Sequence, residues 1–72
     1  MIKKIVLENK LKRWRFEYDQ ITQEELAAKL GVSRQTIIAI EKGKFNPSVA
    51  LALSMVRFFE CSVEDIFSIK EG

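Results

Sequence analysis

The feature that most constrains this chain is a glycine between two apolar stripes in the stretch LAAKLGVSRQTIIAIEKGK, residues 26–44. Apolar residues recur at helical spacing on both sides of Gly31. Glycine ends helices because it accepts a left-handed conformation at no steric cost, and serine, here Ser33, is a preferred N-cap residue. One helix therefore ends and another begins within a few residues, so the second must cross the first.

A helix-turn-helix unit over residues 23–42 accounts for this pattern. With Gln23 as its first position, the apolar residues that two crossing helices need fall at Leu26, Leu30, Val32, Ile37 and Ile40. Ala27 supplies the small residue where the helix backbones approach, and Gly31 supplies the tight turn. In DNA-binding units of this kind the N-terminal end of the second helix stands out from the protein surface.

Caps and apolar spacing predict five helices around one core. The first helix starts at about Asn9, and the second is capped by the Thr22–Glu25 capping box. The third runs from Arg34 to about Lys42 and the fourth from Pro47 to about Phe59. A short fifth helix is capped by Ser62 and Asp65 and carries Val63, Ile66 and Phe67. Asn46 is the predicted N-cap of the fourth helix, because proline is favoured at the first helical position. Residues 2–7, IKKIVL, fit either a short strand or the lead-in to a helix.

The composition is that of an ordinary globular protein. With 72 residues, 47% apolar and 31% charged, we expect one domain over residues 1–72. No uncharged run approaches the roughly 18 residues of a bilayer span, and no secretory signal is evident, so we expect a cytoplasmic protein without a membrane partner. The absence of histidine and the single cysteine, Cys61, predict no metal or other cofactor and a partly buried, inert thiol.

Positive charge is concentrated in the first part of the chain. Residues 1–44 hold ten Lys/Arg and six Asp/Glu, whereas residues 45–72 hold two and four. Over the first sixteen residues a single acid, Glu8, accompanies the cations Lys3, Lys4, Lys10, Lys12, Arg13 and Arg15. Such a run is either a solvated helix face or a surface that attracts a polyanion, and charge alone does not distinguish the two.

The sequence TQEELAAKLGVSRQTIIAIEKGKFNPS, followed by SVEDIF, resembles the lambda-repressor-like, or Cro/C1-type (xenobiotic-response-element), transcriptional regulators. The similarity runs from roughly Leu11 to Phe67, with Tyr-Asp-Gln-Ile at residues 18–21 where the family commonly has a Gly-containing turn. It implies an all-α, compact five-helix lambda-repressor-like DNA-binding domain with a helix-turn-helix, to which a short N-terminal strand is a possible addition. It also implies a dimeric repressor.

Four residues on the outer face of the third helix are expected to face the bases of DNA. Arg34 and Gln35 lie at the exposed tip, where arginine pairs bidentately with guanine and glutamine with adenine. Ile38 and Ala39 follow one turn later on the same face. Ile38 suits contact with a thymine methyl, although single exposed aliphatic residues are common on any protein surface.

A second group of polar residues is expected to hold the phosphate backbone. Gln23 lies in the first turn of the second helix, where its side chain and the helix amides can face one anion. Ser33 and Thr36 carry short hydroxyls at the start of the third helix, with capping as their alternative role. The third helix is followed by the remaining predicted DNA contacts, Lys42, Lys44 and Asn46.

Glu41, at the end of the third helix, matches the buried acid that in this family pairs with an arginine of the first helix. Arg15 is the first candidate partner, with Arg13 as the alternative. Such a pair is structural, because it fixes the first helix against the reading helix.

We therefore expect a sequence-specific double-stranded DNA-binding transcriptional regulator, a repressor acting as a homodimer on a palindromic operator. Two dimer surfaces are predicted, and a contribution from both is favoured: strand pairing of residues 2–7, and the C-terminal apolar residues Phe58, Phe59, Val63, Phe67 and Ile69. The alternative is an antitoxin-type protein-interaction module with secondary DNA binding. Without a histidine, a Gly-rich phosphate loop or paired acids, we expect no enzyme, and no small-molecule ligand is evident.

Overall fold

Five helices and a two-stranded sheet make up the part of the protein that the structure describes. This computed structural model describes residues 5–71, apart from the side chains of residues 5 and 71. The elements in chain order are β1 (Ile5–Asn9), α1 (Leu11–Glu17), α2 (Gln23–Leu30), α3 (Arg34–Glu41), α4 (Val49–Phe59), α5 (Val63–Ile66) and β2 (Phe67–Glu71). The predicted helical fold with five helices is confirmed, and the sheet is an addition to it.

The caps that flank α2 and α3 produce the predicted helix-turn-helix. The Thr22 hydroxyl accepts a hydrogen bond of 3.0 Å from the Glu25 N–H, and the Glu25 carboxylate accepts one of 2.9 Å from the Thr22 N–H. Gly31 ends α2 with φ +72°, in the left-handed region. Ser33 then caps α3, because its hydroxyl accepts from the Thr36 N–H at 3.2 Å.

Two capping carboxylates are stabilised in their ionised form. Hydrogen bonds from the Thr22 backbone and side chain lower the pKa of Glu25, and those from Ser62 lower the pKa of Asp65 in the same way. A carboxyl whose pKa is lower in the folded state than in the unfolded chain stabilises the fold at neutral pH. That stabilisation is lost as the pH falls through the lowered pKa.

The core is built from all five helices and the start of β2. Its buried members are Leu11, Leu26, Ala27, Ile37, Ile40, Met55, Phe59, Ile66 and Phe67. Ala27 is buried on α2, the helix that packs against α3, and its neighbour Ala28 is exposed. Cys61 is half-buried as predicted, and burial raises the pKa of its thiol.

Three predicted helix boundaries were wrong. Helix α4 is capped by Ser48, whose hydroxyl accepts from the Leu51 N–H at 3.1 Å, so Pro47 and Asn46 both precede the helix. The first helix begins at Leu11, because Asn9 ends β1 and accepts from the Leu11 N–H at 3.1 Å with its side-chain oxygen. Phe67 belongs to β2 and not to the fifth helix.

Strand β1 pairs with β2 in an antiparallel arrangement that brings the two ends of the described chain together. The register sets Leu7 opposite Ile69 and Asn9 opposite Phe67. Since directly opposed side chains share a face, these four form the inner face of the sheet, while the outer face carries Val6, Glu8, Ser68 and Lys70. The strand alternative for residues 2–7 is confirmed from Ile5 onward; residues 2–4 lie outside the described residues.

Most residues of the predicted C-terminal dimer surface are buried or half-buried within the chain itself. Phe59 and Phe67 are only 6% exposed, because both pack in the core. Phe58 is half-buried, with its ring 4.9 Å from that of Tyr18. Ile69, by contrast, is 65% exposed.

The turn between α1 and α2 takes an unusual backbone conformation for its residues. Asp19 and Gln20 both have φ near +53°, in the left-handed region that favours glycine. Tyr-Asp-Gln-Ile at residues 18–21 therefore makes this turn without a glycine. Trp14 links α1 to α5, because its indole N–H donates a hydrogen bond to the Asp65 carbonyl at 3.0 Å.

No helix within residues 5–71 has both the length and the apolar character needed to cross a membrane.

We predict that Ala27→Leu destabilises the fold by about 1–3 kcal/mol, because extra methylenes overpack a closely packed helix crossing. In a domain of this size each kcal/mol lowers Tm by roughly 4–8 °C, which thermal unfolding followed by circular dichroism measures. Ala28→Leu is the matched control, and its effect should stay within about 0.5 kcal/mol because Ala28 is exposed. Equal melting of the two variants would contradict the close crossing of α2 and α3.

Candidate nucleic-acid interface

The first turn of α3 presents two long polar side chains to solvent. Arg34 and Gln35 are both exposed, directly after the Ser33 cap. Ile37 and Ile40 are fully buried and anchor the opposite side of the helix. The helix is therefore held along one face while its N-terminal tip remains accessible, as the sequence predicts.

Ile38 and Ala39 lie further along α3 and are half-buried. They are less accessible than Arg34 and Gln35. Their contact with bases stays a prediction, and the exposure of the tip makes Arg34 and Gln35 the stronger candidates for reading sequence.

The hydroxyls of Ser33 and Thr36 are coupled to each other. They lie 3.0 Å apart, within hydrogen-bond distance, and Ser33 also caps the helix. A phosphate oxygen accepts hydrogen bonds, and the bond between the two hydroxyls uses one of their two hydrogens, so one hydrogen remains to donate to a phosphate. Capping and phosphate binding are thus compatible for Ser33.

The predicted pairing of Glu41 with Arg15 is confirmed. Arg15 donates from Nε to one carboxylate oxygen at 2.9 Å and from Nη2 to the other at 3.2 Å. The side chains are only 16% and 6% exposed. Arg13 instead pairs with Glu17 on the surface, at 3.2 Å and with side chains 72% and 58% exposed.

Gln23 joins the same network from the start of α2. Its side-chain Nε2 donates to the Glu41 carboxylate at 3.0 Å, and Arg15 also donates to the Ile21 carbonyl at 3.1 Å. A primary amide has two hydrogens, so the bond to Glu41 leaves one for a phosphate. We define Arg15, Gln23 and Glu41 as the Glu41 network, which links α1, α2 and α3.

An open polar groove lies beside this network, between α1, the start of α2 and the tip of α3. Its lining residues are Lys12, Arg15, Thr22, Gln23, Glu24 and Arg34. Arg15 is already paired with Glu41, so Lys12 and Arg34 are the cations left to face Glu24 and the positive end of the α2 dipole in this groove. This balance suits an anionic ligand. Lys12 is a functional candidate that sequence reasoning did not single out, although it belongs to the cationic run of the first sixteen residues.

The remaining predicted contacts follow α3. Lys42, Lys44 and Asn46 are exposed, and the backbone there is fixed by a hydrogen bond of 2.9 Å from the Lys44 N–H to the Ala39 carbonyl. Gly43, with φ +74°, makes the turn. Their side chains therefore extend from an ordered segment, and their role in holding DNA stays a prediction.

We predict that Glu41→Ala destabilises the protein by about 3–5 kcal/mol, because it leaves the Arg15 charge without its partner in a largely buried setting. Denaturant unfolding measures the loss. Arg13→Ala is the matched control, because it removes the exposed ion pair between Arg13 and Glu17 of α1. Loss of such an i,i+4 pair costs at most about 0.5 kcal/mol. Similar losses in the two variants would contradict a structural role for the Glu41 network.

Comparison with known proteins agrees with this geometry. A helix-turn-helix family model matches residues 20–66, which include α2 to α5. An HTH-type transcriptional regulator of Methanocaldococcus jannaschii is 59% identical over 61 residues, covering 85% of this chain and 91% of the relative. The HTH-type transcriptional regulator YgzD of Bacillus subtilis is 45% identical over 67 residues, covering 90% of this chain and 97% of YgzD.

A solved structure shares the fold. The crystal structure of the transcriptional regulator VanUg superposes with a TM-score of 0.80, covering 99% of this chain and 93% of VanUg at 24% sequence identity. The family match, the identities with regulators and the exposed tip of α3 lead to one assignment. The chain belongs to the lambda-repressor-like, Cro/C1-type helix-turn-helix family of transcriptional regulators and carries that family's DNA-binding domain.

Proposed function

We propose that the chain, acting as one domain over residues 1–72 with its helix-turn-helix at 23–42, is a sequence-specific repressor that binds a palindromic operator as a homodimer. The observation that carries this proposal is the exposed tip of α3, where Arg34 and Gln35 project beside a cationic groove. The protein works without catalysis and in the cytoplasm.

The tip of α3 reads bases in the major groove. Arg34 donates two hydrogen bonds to guanine and Gln35 pairs with adenine, because the groove edges of these bases match the two side chains. Ile38 and Ala39 add apolar contact with a thymine methyl. The burial of Ile37 and Ile40 behind them supports this, since it keeps the reading helix from turning.

The phosphate backbone is held from both sides of that tip. On one side Gln23 and Lys12 bind a phosphate in the polar groove at the start of α2. The hydroxyl pair of Ser33 and Thr36 binds the next phosphate by donating its one remaining hydrogen. On the other side the backbone is held by the exposed residues Lys42, Lys44 and Asn46.

Two copies of the domain are needed for useful specificity. One reading helix contacts only a few base pairs, too few to select a site in a genome. A two-fold dimer doubles the site and requires half-sites about one helical turn, roughly 34 Å, apart. Occupation of such a site acts most directly by blocking other proteins, which is why we propose repression.

Selection of bound duplexes from a random DNA pool tests the proposal directly. We expect a palindrome with half-sites one helical turn apart. Recovery of unrelated sequences would contradict sequence-specific binding, and recovery of a single asymmetric half-site would contradict the dimer.

We predict that Arg34→Ala weakens binding of the dimer to the selected operator by about 30-fold or more, because two bidentate base contacts worth about 1–3 kcal/mol each are lost, one in each half-site. Competition with bulk DNA measures how much of the loss is specific. Lys12→Ala should instead weaken both kinds of DNA alike and reduce the slope of log K against log salt by about 2, because the dimer loses one phosphate contact from each copy.

Arg57→Ala controls for the loss of one positive charge, because Arg57 is exposed in the last turn of α4 and does not line the polar groove. It should leave the preference for the operator unchanged. Equal losses on operator and bulk DNA for Arg34→Ala would show that Arg34 makes no base contact.

A further inference from the structure

A second open groove follows α1 from the end of β1, and we call it the Phe16 groove. It has a volume of about 690 Å³, and its lining surface is mostly apolar. Its lining residues are Asn9, Lys10, Lys12, Arg13, Arg15 and Phe16. None of these described residues is acidic, whereas the polar groove beside the Glu41 network includes Glu24. The Phe16 groove therefore combines an apolar surface with positive charge.

The ring of Phe16 is the apolar centre of this groove. Phe16 is 65% exposed, more than any other aromatic side chain in the described residues. Lys12 and Arg13 precede it by four and three residues, so they are its neighbours on the helix surface. Single exposed apolar residues are common, but a phenyl ring between two cations and beside a groove favours a partner that is both apolar and anionic.

Two polar members of the groove are already engaged within the fold. Arg15 is paired with Glu41, and the Asn9 side chain bonds to backbone groups through its nitrogen at 2.8 Å and its oxygen at 3.1 Å. Arg13 makes only an exposed ion pair with Glu17, which costs little to open. The exposed cations that a partner meets are Lys10, Lys12 and Arg13.

A comparison of the two grooves indicates the chemistry of the partner. A DNA phosphate gains nothing from an exposed phenyl ring, and the neighbouring polar groove suits it better. A small-molecule site encloses most of its ligand, whereas the Phe16 groove is open to solvent. An acidic segment of another protein fits both features, because it supplies carboxylates and apolar side chains along an extended surface.

We infer that the Phe16 groove binds an acidic segment of another protein, with an apolar side chain packed on the Phe16 ring and carboxylates facing Lys10, Lys12 and Arg13. The tip of α3 takes no part in this contact, so the docking does not rest on the proposed function. Its consequence for DNA does rest on it. Lys12 lines both grooves, so the segment and an operator phosphate compete for one cation, and the bound segment weakens operator binding.

Selection from a displayed library of short random peptides, with the full-length chain as target, tests the docking. We expect acidic peptides that contain an aromatic or large aliphatic residue. Fluorescence anisotropy of a recovered, fluorescein-labelled peptide then measures its affinity. Phe16→Ser should weaken binding by about tenfold or more, because the apolar contact is lost. Phe45→Ser is the matched control, since Phe45 is 49% exposed and does not line the groove.

A second pair of variants tests the charges. The double variant Lys10→Gln, Arg13→Gln should weaken the same peptide by about fivefold at low salt, because two exposed ion pairs are lost. Lys29→Gln, Arg57→Gln removes as much charge from exposed positions on α2 and α4 and should change the affinity little. Phe16 is exposed, so Phe16→Ser should keep the wild-type Tm and the preference for the operator.

The outcomes separate the docking from the proposed function. Recovered peptides without acidic or apolar residues, or peptides that bind Phe16→Ser as well as Phe45→Ser, would overturn the docking surface. Loss of duplex DNA binding in Phe16→Ser would overturn it too, because the groove would then hold DNA. A peptide that binds through Phe16 and leaves operator affinity unchanged would contradict the shared use of Lys12. Absence of any sequence preference in the random DNA pool would contradict the function alone.

Discussion

The arrangement of α1, α2 and the reading helix α3 depends on the hydrogen bonds that the Glu41 carboxylate accepts. This carboxylate lies at the end of α3, accepts two hydrogen bonds from Arg15 of α1 and one from Gln23 of α2, and its side chain is 6% exposed. A largely buried charge is tolerated only with such partners. The network therefore fixes the angle of α3 against the other two helices, and with it the position of the exposed Arg34 tip.

Pre-organisation of this kind bears directly on DNA recognition. A reading helix that is already fixed loses little conformational freedom on binding, so more of the contact energy appears as affinity. Gln23 has a central place, because the same side chain belongs to the Glu41 network and lines the groove proposed for a phosphate. A phosphate bound there would be held in register with the base-reading tip, which lies on the next helix.

Local chemistry made much of this structure predictable. Thr22, Gly31 and Ser33 begin or end helices through contacts within a few residues, so the helix-turn-helix is predictable from the sequence. The choice of Arg15 over Arg13 as the partner of Glu41 follows from helical phase. The errors arose where a distant segment or a competing cap decided the outcome. The distant segment is β1: its residue Asn9 pairs with Phe67, which therefore belongs to β2 and not to the fifth helix. The competing cap is Ser48, whose hydroxyl accepts from the Leu51 N–H and so takes the place predicted for Asn46. DNA contacts depend on a partner that neither sequence nor fold contains.

The central claim is that a fixed α3 reads DNA through its exposed tip, and nuclear magnetic resonance titration of the labelled protein with its selected duplex tests it most directly. The account predicts that amide shifts concentrate at Gln23, in the first turn of α3 from Ser33 to Thr36, and in the segment from Lys42 to Asn46. It also predicts little change on α4. Shifts concentrated on α4 or the outer face of the sheet, with the tip of α3 unaffected, would contradict it.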